Sequence, residues 1–515
     1  MKRMKTKRIL ASLLALALAL SVLPAPAFAE VRTPDFSGTC PCCGAAAEAI
    51  EWSVLTPELF ENNRISANRH VTMTADVELT GQLEIPTGVH LLLDLNGFRL
   101  SAAGDRVFNV TGGGLTVFDG SAEKTGTIVG GDVSATGAAN YGGGAVRVNG
   151  TFTLLSGTVT GGKAAQGGNI YVDLNSTLTI TGGTVRDGYA AGMDSSSGRG
   201  GNIYALGDVH ISGDARILNG YAQVTPNMTG TNNSGRGGNL FIQAANVTLS
   251  GNAVVAYGYA EGRGGNMLIN SQATLYLQDN AEIYGGVAKS YGDNIDLMTS
   301  HLNISGGTIY GSPAGGGGKN NVNFYKAAST LTITGGKLYG RVAALAGMAI
   351  NISGDPYVQQ LYLPSGALII PGTFEKTAWV GLEVAAEDKT FTGPLEDFSS
   401  YKYFFSYDKQ GLTWHHSKTD NSLYLTTGTP CACCGEDVKD IQWTTFGEQT
   451  KLTDGHYKLA EDLTLNRTAS ILVEGSVTLD LNGYNLTGSG KDDVFEIAAG
   501  STFNEIGRAS CRERV

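Results

Sequence analysis

The chain has 515 residues, a net charge of −11, only 16% charged residues and 72 glycines. An acidic chain with no basic stripe argues against nucleic acid or anionic membrane surfaces as partners. Glycine in excess, but without a strict three-residue period, excludes collagen. The first element is a targeting segment. Lys2, Arg3, Lys5, Lys7 and Arg8 precede an apolar run from Ile9 to Leu23, and Ala27-Phe28-Ala29 supplies a cleavage site. This pattern predicts a secretory signal peptide over residues 1–29, and hence a secreted protein; the cell surface or cell wall is its expected location. No later stretch approaches the ~20 apolar residues that span a bilayer.

A Cys-containing head follows over residues 30–60, marked by Cys40-Pro-Cys-Cys-Gly44 and Trp52. From residue 61 to 348 the chain repeats itself. A Gly-Gly-Asn turn followed by an apolar residue returns at Asn169, Asn202, Asn239 and Asn266, and in degenerate form at Asn294 and Asn321; Ala145 fills the first slot. Successive gaps are 24, 33, 37, 27, 28 and 27 residues. The two longest contain polar additions, Met193 to Ser197 and Thr225 to Ser234, which read as inserted loops.

Each unit carries three short strands with period-two alternation. The first follows the Asn, as in Ile170-Tyr-Val172 and Leu240-Phe-Ile242; the second has apolar pairs such as Leu178/Ile180 and Leu275/Leu277; the third contributes Val159, Val185, Ile217, Val255, Ile283, Ile309 and Leu338. Strands with one apolar face cannot stand alone, and stacking equivalent strands about 4.8 Å apart buries the alternate side chains in one core. Three strands per coil without a helical segment predict an all-β chain folded as a triangular parallel β-helix. The buried Asn row is expected to be a structural ladder, its side chains bonding one another up the solenoid. Arg199, Arg236 and Arg263, which precede three of the turns, are expected to tie down loops.

Leu93-Asp-Leu-Asn-Gly-Phe98, the Gly-Gly-Thr turns at Gly182-Gly183-Thr184 and Gly306-Gly307-Thr308, and the Thr-Leu-Thr-Ile strands at Thr177–Ile180 and Thr330–Ile333 carry a resemblance. The chain is similar to right-handed parallel β-helix repeat proteins, the pectate-lyase-like solenoids found as adhesin-like proteins on bacterial surfaces. The resemblance implies a right-handed β-helix. Its markers specify fold well and function poorly.

A larger duplication overlies the repeats. Cys40-Pro-Cys-Cys-Gly44 and Trp52 return as Cys431-Ala-Cys-Cys-Gly435 and Trp443, and Leu93-Asp-Leu-Asn-Gly97 returns as Leu479-Asp-Leu-Asn-Gly483. Residues 349–428 are read as irregular β segments closing the first module. Residues 429–505 are read as a second head and the truncated start of a second β-helix. Residues 506–515 resemble one frame of a sequencing adapter, so the natural chain is expected to continue beyond Glu505.

With Cys511 in that tail set aside, six cysteines remain, three per head. Secretion favours oxidation, with Cys40 paired to Cys42 or Cys43 or across modules, and three cysteines leave one odd thiol. Alternatively, Cys40, Cys42, Cys43 and His70, and likewise Cys431, Cys433, Cys434 and His456, supply the ligands of a tetrahedral structural zinc site. A reactive thiol is the third reading, and the sequence leaves all three open. Catalysis has less support. A glycosidase needs carboxylates converging on one cleft, whereas Asp187, Asp214, Asp293 and Asp296 are scattered, so no catalytic residue is assigned. Binding has more. Three outward aromatic rows emerge on alignment: Tyr171, Tyr204 and Phe241; Tyr189, Tyr221 and Tyr259; and Tyr284, Tyr310 and Tyr339. Rings at rung spacing stabilise the solenoid themselves, and they also offer a flat strip on which sugars stack. The reading is therefore adhesion or scaffolding with an extracellular polysaccharide or surface-protein partner. The alternative is a polysaccharide lyase or glycoside hydrolase on the same scaffold.

Overall fold

The computed structural model of the chain describes residues 36, 38–40, 43–134, 142–191, 198–224, 235–311, 320–326, 328–384, 389–395, 403–407, 412–417, 419–431, 435–447, 449–466, 469–488 and 493–506. The expected signal peptide, the loops expected over Met193 to Ser197 and Thr225 to Ser234, Cys42, Cys433, Cys434 and nearly all of the adapter-like tail lie outside them. Among the described residues no helix is long and apolar enough to cross a membrane.

The chain is an all-β solenoid whose rungs pair in parallel along three faces. One face runs from Leu83–Pro86 through Phe108–Phe118, Val146–Leu154, Ile170–Val172, Ile203–Ala205, Leu240–Gln243, Met267–Asn270 and Ile295–Met298 to Val322–Phe324. The second runs from Ser53–Val54 through Arg69–Thr72 and His90–Asp94 to Thr177–Ile180, Thr274–Leu277 and Thr330–Ile333. The third includes Val77–Leu79, Thr158–Thr160, Val254–Ala256 and Glu282–Tyr284. Equivalent aliphatics meet in register, as Leu178 with Val209 and Ile283 with Ile309. Their side chains form one continuous core from Leu55 to Leu425. Each is worth about 1.5–3 kcal/mol of burial before chain entropy is subtracted.

The turn between the third and first faces explains the glycine pairs. The first glycine of each pair (Gly167, Gly200, Gly237, Gly264) has φ between +58° and +65°, a conformation that costs glycine little. The second lies against the rung above: a Cβ on Gly201 would fall 2.1 Å from the Gly238 carbonyl oxygen. The Asn that follows closes the turn. Asn169, Asn202, Asn239, Asn266 and Asn294 each donate from Nδ2 to the Oδ1 of the next Asn, at 2.6–2.8 Å, ending on Asn321. The same amides donate to backbone carbonyls of Arg186, Leu218, Ala256, Tyr284 and Tyr310. Each Oδ1 from Asn169 to Asn294 also accepts a glycine N–H. Every polar atom of these five buried amides is thus engaged.

Two features depart from the three-strand repeat. A fourth, two-residue face stacks Lys163–Ala164, Tyr189–Ala190, Tyr221–Ala222, Tyr259–Ala260 and Val287–Ala288. Its alanines are fully buried, but two residues are too few for an alternation to register in the sequence. The parallel ladder also continues past residue 348. Ala349–Gly354, Tyr357–Leu363, Leu368–Phe374 and Trp379–Val384 extend the same faces with shorter rungs that lack the Gly-Gly-Asn turn. The antiparallel hairpin Leu412–Ser417 and Ser422–Thr427 then ends the stack. Beyond it, Gly455–Lys458, Ser476–Asp480 and their neighbours begin three parallel faces again around a separate small core.

Candidate functional site

An outward side chain on a solenoid repeats at every rung, so like residues form rows along the axis. The first aromatic row does stack, with Tyr171–Tyr204 centroids 5.1 Å and Tyr204–Phe241 centroids 5.3 Å apart. It is not a surface, however. Tyr204 is 3% and Phe241 0% exposed, and both join Leu268 in a satellite cluster outside the main core. The row continues in register to Asp296 and Asn323, and the Arg199 guanidinium lies over the Phe241 ring at 5.4 Å. The expectation of an outward ligand-facing row therefore fails for Tyr204 and Phe241. The strand positions face away from the core, but the neighbouring turn residues fold over them.

The second row, Tyr189, Tyr221 and Tyr259, stacks at 5.0 and 5.3 Å and is half-buried. The Lys163 ammonium lies 5.8 Å from the Tyr189 ring centre. Burial, then a hydrogen bond to Glu261, pushes the Tyr221 phenol up to about 12. Glu261 itself pairs with Lys289 at 3.1 Å and accepts from the Val224 N–H at 2.8 Å. These rings belong to a pinned polar network.

The third row is the exposed one, and it is longer than the three residues Tyr284, Tyr310 and Tyr339. Ring centroids step from Tyr257 to Tyr284 (5.2 Å), Tyr310 (6.0 Å), Tyr339 (5.8 Å), Tyr357 (5.3 Å), Trp379 (5.2 Å) and Phe405 (5.5 Å). Tyr257, Tyr310 and Phe405 are exposed and the other rings are partly so. Tyr339 follows the buried Leu338, whereas Tyr357 precedes the buried Val358, so the strip shifts from one outward column to the other without a break. Tyr357 and Trp379 flank inward valines, a period-two signal present in the sequence but masked by the lost turn motif. Tyr257 sits in a left-handed turn, at φ +58°, and its ring lies over Gly285, where a Cβ would fall 2.6 Å away. The Tyr310 hydroxyl donates to Glu282 at 3.0 Å, which together with burial raises its pKa, and burial raises that of Tyr284. These upward shifts keep the Tyr284 and Tyr310 phenols uncharged at neutral pH.

The Cys heads pack on the outside of their solenoids. Cys40 and Ile50 bury against Leu92 and Phe118, whose neighbours Leu91 and Leu93 point into the main core. A tight turn holds Cys40 and Gly44, with Cys40 N–H donating to Ala45 O at 2.8 Å and Gly44 N–H to Cys40 O at 2.9 Å. His70 projects outward from Arg69–Thr72, and its Nε2 lies 3.2 Å from Cys40 Sγ and 3.5 Å from Cys43 Sγ. In the second head Cys431 Sγ lies 3.0 Å from His456 Nε2, with the same turn between Cys431 and Gly435. Trp52 and Trp443 contact the respective histidine rings. Cys43 is an exposed free thiol, and Cys40 and Cys431 are buried.

Of the scattered carboxylates, Asp296 is fully buried and ion-paired to Arg263 at 2.9 Å. Asp187 pairs with Arg186 at 2.6 Å, and Asp214 accepts from Asn252 at 3.1 Å. Comparison of the chain with known families, curated proteins and solved structures gives no match.

Proposed function

We propose that the protein is a secreted or surface-displayed, adhesin-like β-helix that holds an extracellular glycan along the strip from Tyr257 to Phe405. The observation that supports this most directly is the seven-ring ladder with centroid steps of 5.2–6.0 Å. A repeating polymer meets a repeating surface: one pyranose residue is about as long as one rung, so successive sugars would find successive rings. Tyr and Trp suit this task because each joins a large apolar face to a polar edge and loses little entropy on binding. The uncharged phenols favour a neutral polysaccharide over an acidic one.

The test uses the full chain and a panel of insoluble neutral polysaccharides, comparing the parent with the double variant Tyr357→Ala, Trp379→Ala. Losing two rings, each worth about 0.5–1.5 kcal/mol, should weaken retention roughly tenfold. Leu174→Ser serves as a control, because that side chain is 62% exposed and lies off the strip. A parent that is retained by no member of the panel, or a double variant retained as tightly as the parent, would overturn the reading.

A further inference from the structure

We infer that Cys40, Cys43 and His70 bind a zinc ion that staples the Cys knuckle to the first rungs of the solenoid. The three ligand atoms lie within 4.8 Å of one another. Zn–S and Zn–N bonds of about 2.3 and 2.0 Å at a tetrahedral angle require sulfur and nitrogen about 3.5 Å apart. The observed separations of 3.2 and 3.5 Å fit that edge. The imidazole is also oriented for the task. His70 Nδ1 lies 3.3 Å from the Glu51 carbonyl, which can only accept, so the proton belongs on Nδ1 and the lone pair of Nε2 faces the sulfurs. One lone pair accepts one S–H, yet two sulfurs approach it, and a cation bound by two thiolates and the imidazole satisfies all three. Both sulfurs aim at the ring nitrogen and neither is bonded to the other. A soft sulfur-and-imidazole set selects zinc over magnesium or calcium.

The second head argues independently for the same design. His456 occupies the corresponding position on Gly455–Lys458, beside Trp443, and faces Cys431. Duplicated modules have thus kept the thiol–imidazole contact while the residue under it changed from Leu92 to Thr478. That second knuckle also touches the module before it: the His416 N–H donates to the Gly435 carbonyl at 2.7 Å, and a Cβ on Gly435 would fall 2.6 Å from His416 Cβ. A metal ion at this knuckle would brace the junction between modules.

The experiment measures zinc in the full chain by elemental analysis, after reduction, exposure to Zn²⁺ alone and exhaustive dialysis. The parent should retain zinc, and Cys43→Ser and His70→Gln should each lower the content by one equivalent per chain. Cys43 is exposed, so its replacement leaves the solenoid intact, as an unchanged far-ultraviolet β-signal would verify. With Co²⁺ in place of Zn²⁺, the parent should show near-ultraviolet thiolate-to-metal absorption that diminishes in Cys43→Ser. A parent that retains no zinc, either variant with undiminished zinc, or a Cys40–Cys43 disulfide in the protein as secreted would overturn the inference.

Discussion

Asp296 projects away from the core on Ile295–Met298 and yet is completely buried. It pairs with Arg263, accepts from Asn323 Nδ2 at 2.6 Å, and lies beside a guanidinium that also covers the Tyr325 ring at 3.7 Å. Burial outweighs these partners and pushes its carboxyl up to about 6. A carboxyl that holds its proton more tightly in the folded chain than in the unfolded one stabilises the fold while protonated. The contribution is complete below about pH 4 and is lost as pH rises through about 6. The displacement corresponds to about 3 kcal/mol. Asp132, Glu261 and Asp437, whose pKa values are lowered by their partners, pull the other way. Urea unfolding of the parent and of Asp296→Asn at about pH 4 and pH 7 separates the terms. The parent should lose about 3 kcal/mol more than the variant across that range, and parallel profiles would rule the assignment out. The sequence showed Asp296 only as an isolated acid. Its partner Arg263 is one rung away in space but 33 residues away in sequence.

At the scale of the element, the Gly-Gly-Asn turn was the most legible part of the fold, because one short motif returns whenever the chain completes a rung. What the motif omits was correspondingly hard to read. The Tyr-Ala face is too short to alternate, and the rungs beyond residue 348 drop the turn while keeping the parallel pairing. The same blind spot hid Tyr357, Trp379 and Phe405, and Tyr257 escaped the strand alternation because it sits in a left-handed turn, so the exposed strip looked three rings long instead of seven. For the buried first row the error ran the other way: period-two alternation distinguishes the two sides of a strand, but it cannot tell an outer side open to water from one covered by a turn. The ladder itself makes a quantitative prediction. Asn239 donates to Ala256 O and Asn266 Oδ1 and accepts from Asn202 Nδ2 and Gly220 N–H. Asn239→Ala would strand several of these groups in a site without solvent, at about 1–3 kcal/mol for each one left unsatisfied. Asn321→Ala, at the end of the row and 4% exposed, removes fewer bonds and should cost about half as much. Denaturant unfolding of the two variants gives the comparison, and equal losses would mean that the ladder acts only through local turn geometry.

On the scale of the whole molecule, each rung touches only its neighbours, so stability passes along the axis by contact and stops where contact stops. The parallel ladder ends at the antiparallel hairpin Leu412–Ser417 and Ser422–Thr427, and the aliphatic core divides there. One cluster extends from Leu55 to Leu425, and a much smaller one is centred on Leu452, Val473, Val477 and Leu479. The link between them is the second Cys knuckle, held to the hairpin through His416 and Gly435 and to the following rungs through His456. Two cores joined by a knuckle should unfold as two units, the small one at lower temperature because it buries fewer aliphatics per rung-end left open. Calorimetry of the full chain should therefore resolve two transitions. Leu479→Ala, at a fully buried position, should lower only the smaller transition, by an amount equivalent to about 2–5 kcal/mol. Leu275→Ala should lower only the larger one, since its neighbours Val247 and Leu302 lie in the long core. If the knuckle couples the modules tightly, the two substitutions would instead shift a single transition together, and the axis would have to be treated as one cooperative column through the hairpin.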